Sequence, residues 1–403
     1  MSQVVQLPLV FDAHNHPSYY ALLASCPDLS ALESRTQVLE ALAQLEPAPL
    51  HIVTGFHSGK VHLRPQDLEA FPPLVLINFS LHGFLCNRAG GEFLQSKGID
   101  PYPQSPRQAE KAMTQLLRFF PTYVASQLGA HKLQIQLKKY VDTLQRAGVY
   151  GAYDMMYILP QEPGEVFPAD FILKPYYAFP LDPQLALPNT KLPLKLFTDG
   201  ALGAKTAALS SGYLGEATPV LIYEPQQFRK TLAAALERAS SLAIHAIGDL
   251  AIEQVLDAYA PLAPSFPEVE VRLEHCQFIT LEQAQRSKKL GIVLSCQPNF
   301  SEDSLYYADR LQTEALERNN PLRMLIDKAH FQPGVDLFWG SDGMPSGLER
   351  ALQMALFPPY PQQALSLEEL LAGYRADPKR GTIALSIDYS KGSVRGLEPD
   401  NEA

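Results

Sequence analysis

Residues 242–283 read LAIHAIGDLAIEQVLDAYAPLAPSFPEVEVRLEHCQFITLEQ. The stretch opens on a short apolar run, 242–245, of strand length. A helix-like pattern follows in LAIEQVLDAY (250–259). A second β-branched run, VEVRLE (269–274), reads as the next strand. Thr280–Gln283 (TLEQ) is a capping box, in which the hydroxyl and the amide side chains satisfy each other's backbone N–H groups, so a new helix starts there. Strand, helix, strand, helix in strict alternation implies parallel pairing with right-handed crossovers.

The same rhythm extends in both directions. On the N-terminal side, LKLF (194–197) reads as a strand, followed by helical spacing in Phe228, Leu232, Ala235, Leu236 and Ala239. On the C-terminal side, IVLS (292–295) and LFWGS (337–341) are strands, and SLEE (366–369) is a second capping box. Earlier candidates are VYGAYD (149–154) and FIL (171–173). With the strand that precedes FDAHNHP (11–17), eight strands are expected. That is the number of an α/β (β/α)8 TIM-type barrel, a fold that runs to 400 residues as one domain. Residues 1–403 are read as that single domain. The stretch from about 45 to 145 is too long for one crossover and is read as a rim insertion after the first strand, with helices near 107–126 and 131–146.

Composition narrows the function. The chain has 403 residues and a net charge of −10, which argues against a nucleic-acid surface. No apolar run is long enough to span a membrane. Four widely spaced cysteines without a Cys-x-x-Cys read as reduced thiols of a cytoplasmic protein. The N-terminus lacks the basic and apolar regions of a secretory leader. The expected partner is a small-molecule substrate, with neither nucleic acid nor membrane.

Catalytic groups of such a barrel stand at the C-terminal ends of its strands. His14 and His16 follow the first strand, and on an extended segment their side chains share one face. Lys195 lies in the fourth strand. His245, His275 and Asp342 end the fifth, sixth and eighth. Four imidazoles and a carboxylate suit zinc first, and other divalent metals after it. Lysine could join them only as the neutral amine or, after CO₂ adds, as an anionic carbamate. The rival reading for each is a core histidine, a turn-forming aspartate or a solvent-facing lysine, and Lys174 is the alternative lysine.

FDAHNHP, LKLFTDGALGAKTA, LAIHAIGDLAI, VRLEHCQ, SCQPNF and GSDGMPSG, in this order, resemble the motif series of the amidohydrolase superfamily. They are most similar to its amidohydrolase 3 branch, which includes N-substituted formamide deformylases. The resemblance implies a binuclear centre. His14 and His16 would hold one ion, His245 and His275 the other, and N6-carboxylated Lys195 would bridge them. Asp342 would bind the first ion and carry the catalytic proton. One or two ions per chain are therefore expected, in a hydrolase of an amide or related C–N bond other than a peptide bond. Asp199, Lys205, Asp249 and Gln297 stand beside these motifs as tentative substrate-binding or supporting residues. His82 and Asn87 join them because they resemble a polar pair in the relatives' insertion.

The resemblance has one departure. Relatives carry a small β-sandwich built from segments on both sides of the barrel, and neither half is expected here. A homo-oligomer could then cover the face left open. Two alternatives stand beside this reading: a mononuclear deaminase of the same superfamily, and a catalytically silent regulatory or binding barrel. Such deaminases usually carry a glutamate three residues after the fifth-strand histidine, and here that position is Gly248.

Overall fold

The computed structural model describes residues 2–57, 60–78, 83–159, 161–180, 190–215 and 219–396. Among them, the strands in chain order are β1 (Ser2–Asn15), β2 (His51–Phe56), β3 (Leu74–Asn78), β4 (Phe84–Cys86), β5 (Val149–Asp154), β6 (Ile172–Pro175), β7 (Tyr177–Ala178), β8 (Leu192–Phe197), β9 (Ala239–Ala246), β10 (Glu270–His275), β11 (Val293–Cys296), β12 (Leu337–Trp339), β13 (Asp377–Asp388) and β14 (Ser393–Gly396). The seven strands expected after the first correspond to β5, the split pair β6 and β7, β8, β9, β10, β11 and β12.

Parallel pairing dominates. β7, β8, β9, β10, β11 and β12 form one six-stranded sheet, and β1, β5 and β6 pair in parallel within another. β6 and β7 are one strand interrupted at Tyr176, whose N–H turns to the Asp154 carbonyl. At the far side the chain leaving β12 returns to β1. Asp342 N donates to His14 O at 2.7 Å, and Ser341 N donates to the Asp12 carboxylate at 2.9 Å. The approach is close: a Cβ on Gly340 would lie 2.4 Å from the backbone N of His14. Only glycine lets the two backbones meet there. The strands read as apolar runs because both faces are covered, as in parallel sheets generally. Leu194, Leu196, Leu242, Ile244, Leu273, Leu294 and Leu337 are all fully buried.

The crossovers follow the expected code. Phe228, Leu232, Ala235 and Leu236 are the buried face of helix Pro225–Arg238. Thr280–Gln283 and Ser366–Glu369 form reciprocal capping boxes at the starts of Leu281–Lys289 and Leu367–Gly373.

Between β1 and β5 the chain builds a separate small sheet. β2 runs parallel to β3, and β3 antiparallel to β4. It closes over its own apolar cluster of Val38, Leu42, Val53, Leu68, Leu74 and Leu76. The helix Pro106–Arg146 follows, broken at Gly129, where φ is 72° and ψ 161°. That break separates the two helices expected at 107–126 and 131–146. Phe120 packs edge-on against Tyr19 at 5.3 Å, fixing the first of them over the strand ends.

The C-terminal end differs from the reading of the sequence, whose last strand is LFWGS: β13 and β14 follow it and pair with the first half of the expected first strand. Residues 2–8 of β1 pair antiparallel with β13, and β13 with β14. β1 thus does two jobs: its exposed first half belongs to an antiparallel ribbon, and its buried second half to the parallel sheet.

Candidate metal centre and substrate cavity

His14, His16, Lys195, His245, His275 and Asp342 all reach one cavity of about 140 Å³ at the C-terminal ends of the parallel strands. One ligand atom from each of His14, His275 and Asp342 lies within 4.8 Å of the other two. His16 Nε2 is 3.1 Å from Asp342 Oδ1, and His14 Nε2 is 3.4 Å from the same oxygen. The His275 ring stands between those of His14 (4.7 Å) and His245 (4.5 Å). His14 Nε2, His16 Nδ1 and Lys195 Nζ are buried polar atoms with no hydrogen-bond partner among the described residues. Unsatisfied buried polar atoms are costly and rare. Convergent imidazoles and a carboxylate that leave their donor atoms facing one another are the donor set a divalent metal takes.

Backbone and charge both bear the mark of a built site. His275 and Asp342 adopt φ values of 74° and 56°, a left-handed conformation that non-glycine residues hold only where the surroundings impose it. Burial and the Lys195 charge push His14 well below its ordinary value. Burial does the same to His275, assisted by His245. Burial lowers Lys195 to about 8, which brings the neutral amine within reach near physiological pH. Burial works to raise Asp342, but His14, His16 and Lys195 overcome it and hold the carboxylate below its ordinary value.

A second layer orients the first, and the sequence reading did not include three of its members, Glu274, Arg272 and Asp12. His14 Nδ1 meets Glu274 Oε2 at 2.6 Å. The other oxygen of Glu274 accepts from Arg272 Nε at 2.9 Å, and Arg272 also donates to Ala13 O at 3.0 Å. Arg272 is fully buried, with its guanidinium 4.8 Å from the centre of the Tyr153 ring. Asp12 accepts from His14 N, Asn15 Nδ2 and Ser341 N, joining β1 to the chain after β12. Burial nevertheless raises Asp12 to about 6.

The tentative residues divide. Gln297 Oε1 is 2.9 Å from His275 Nδ1, so it orients that ring. Asp199 lines the cavity 3.3 Å from His245 Nε2, while its oxygens accept from the backbone N–H groups of Ala208, Ile247 and Gly248. Three others fall outside the cavity wall. Asn87 caps helix Arg88–Ser96 and donates to the carbonyls of Leu68, Phe71 and Pro72. Asp249 opens helix Asp249–Tyr259 and accepts from Ser210 N. Lys205 reaches out to Leu214 O. Lys205 and Asp249 tie down loops next to motifs, which is why sequence proximity suggested a substrate role, whereas Asn87 was suggested by its likeness to the relatives' insertion. His82 lies outside the described residues.

Residues 5–380 match the family model for the amidohydrolase family. The chain belongs to the amidohydrolase family. Within that family, the YtcJ amidohydrolase of Bacillus subtilis is 33% identical over 152 residues, a match that takes in 37% of this chain and 28% of YtcJ. N-substituted formamide deformylase of Arthrobacter pascens is 25% identical over an alignment covering 96% of this chain and 81% of that protein. The fold of this amidohydrolase resembles that of a metal-dependent hydrolase from Pyrococcus horikoshii. The TM-score is 0.67 at 20% identity, covering 93% of this chain and 80% of that one.

Proposed function

We propose that this amidohydrolase cleaves an amide or related C–N bond of a small molecule by metal-dependent hydrolysis, in an eight-stranded (β/α)8 barrel closed by the β12–β1 contacts. The observation that carries the reading is the convergence of His14, His275 and Asp342 donor atoms within 4.8 Å. The likeness to an N-substituted formamide deformylase along 96% of the chain points to the C–N bond.

His14, His16 and Asp342 would hold one ion, zinc before other divalent metals, and His245 and His275 a second. Lys195 would serve both after its neutral amine adds CO₂ and loses a proton, becoming an anionic carbamate. A divalent metal held there polarises the scissile carbonyl and lowers the pKa of water. The chain's own part is proton handling and orientation. Asp342, kept ionised by its histidine neighbours, takes the proton that the attacking water releases. It returns that proton to the leaving nitrogen as the C–N bond breaks, so amide and water yield acid and amine. Glu274 and Gln297 fix which nitrogen of His14 and His275 faces the cavity.

The deaminases of the alternative reading usually carry a glutamate three residues after the histidine that corresponds to His245. A Cβ on Gly248 would sit 2.1 Å from Ala208 O, so no side chain fits there on this backbone. Metal content by mass spectrometry, on protein purified without chelator, tests the proposal. Close to two ions per chain, with release of amine from amide substrates, is the expected result. Essentially no metal, even after zinc and bicarbonate are added, would overturn it.

A further inference from the structure

Three of the four cluster histidines have an aromatic neighbour that also lines the cavity. The Tyr20 ring stands 6.4 Å from His16, Phe197 5.4 Å from His245, and Phe300 6.1 Å from His275 with the two rings parallel. The Tyr20 hydroxyl donates to the Asp342 carbonyl at 2.9 Å. These rings form a collar of hydrocarbon directly beside the donor atoms.

The insertion supplies a second apolar surface. Glu110, Met113, Thr114 and Leu117 of helix Pro106–Arg146 line the same cavity. The spacing i, i+3, i+4, i+7 is one face of a helix, so they form a single stripe along it. The Thr114 hydroxyl returns to the Glu110 carbonyl at 2.8 Å, and the Glu110 carboxylate accepts from the Thr206 hydroxyl. Asp303, also on the wall, accepts from the Gln277 amide at 2.9 Å. Protein donors thus engage these polar groups, while Met113 and Leu117 have none to satisfy.

Small-molecule sites combine apolar and aromatic walls with a few polar groups that fix orientation. Here the cluster orients, and the collar and stripe take hydrocarbon out of water. A volume of about 140 Å³ is close to that of apolar cavities that hold one benzene. We propose that the substrate amide carries an uncharged apolar group, a short alkyl chain or a single ring, seated in the collar of Tyr20, Phe197 and Phe300, and that Met113 and Leu117 set its greatest length. This rests on the amide-hydrolase reading above and adds the class of the non-reacting group.

N-formyl alkylamines from methyl to octyl test it on the metal-loaded protein, beside N-formyl amino alcohols of matched length. Binding is read by calorimetry and turnover by amine or formate release. Affinity should rise ~3-fold per methylene and stop rising at about six carbons or fewer. Each alcohol should bind ~5-fold or more weakly than the alkyl probe of its length. Leu117→Ala and Met113→Ala should each move the limit to longer chains, and Leu117→Phe to shorter ones, with circular dichroism confirming the fold. The wild-type series decides the class of the group even where a variant fails to fold. Affinity that is flat or falls from methyl onward overturns the proposal, as do alcohols that bind as tightly as alkyl probes, a limit unmoved in every folded variant, or no binding of any probe. Length-dependent binding without hydrolysis would leave this inference standing and overturn the amide reading. Hydrolysis with neither affinity nor kcat/KM dependent on length would do the reverse.

Discussion

His14 and His275 face each other with ring centres 4.7 Å apart, yet their outer nitrogens are held by different chemistry. His14 Nδ1 meets the Glu274 carboxylate at 2.6 Å, and that carboxylate is itself held by buried Arg272. His275 Nδ1 meets a neutral amide, Gln297, at 2.9 Å. A charged partner raises the basicity of an imidazole ligand more than an amide does, and charge-assisted hydrogen bonds are about twice as strong as neutral ones. The two halves of the cluster are therefore unequal. The His14 ring is held by a charged carboxylate, whereas the His275 ring is held by a neutral amide and ends β10 on a left-handed backbone.

The sharpest test of that inequality lies with the His14 half, where Asp342 stands. Asp342→Asn should cut turnover ~10²–10⁴-fold while the circular dichroism spectrum and the melting transition stay near wild type. Retained turnover would remove the assigned proton role.

Next comes the support beneath that half. Arg272→Met leaves Glu274 a buried carboxylate without its cation, a change that costs about 3–5 kcal/mol. Denaturant unfolding of the metal-free protein should show this as a lower midpoint at unchanged slope. A neutral outcome would mean that His14 alone satisfies Glu274.

Glu274→Gln should weaken metal retention ~10–100-fold, measured by competition with a chelator. Gln297→Ala should weaken it less, by ~10-fold at most. The comparison between the halves breaks if the two variants lose metal equally.

The smallest effect concerns Asp303, on the cavity wall. Its folded value of about 7 lies above the ordinary 3.8, so the folded state binds this proton more tightly than the unfolded state. Its ionisation therefore costs stability above pH 7, and the cost disappears as the pH falls toward 4. Asp303→Asn should melt higher than wild type at pH 8, by ~2 °C or more, and the gap should shrink at pH 5. A gap that is constant with pH would show that the carboxyl is not titrating in this range.

Much of the site is legible in one dimension because its residues recur at strand ends in chain order. Lys195 lies within an apolar strand, His14, His16, His245, His275 and Asp342 lie at or just after the end of one, and all six reach one cavity. Their supports are not legible in that way. Glu274 and Arg272 sit inside the strand reading VEVRLE, where they look like ordinary alternating polar residues. Their partner His14 is 260 positions away. Lys205 and Asp249, read from their place beside motifs, and Asn87, read from its likeness to the relatives' insertion, make hydrogen bonds to nearby carbonyls and loop N–H groups.

The sequence by itself determined the alternation of parallel strands and helices, the helix starts at Thr280 and Ser366, and the candidate ligands, because these depend on local periodicity, capping chemistry and residue type. Only the tertiary structure decided that β1 divides between an antiparallel ribbon and the parallel sheet. It alone set which carboxylate orients which histidine. Those features arise from contacts between segments far apart in the chain, and no local pattern encodes a partner that only folding brings near.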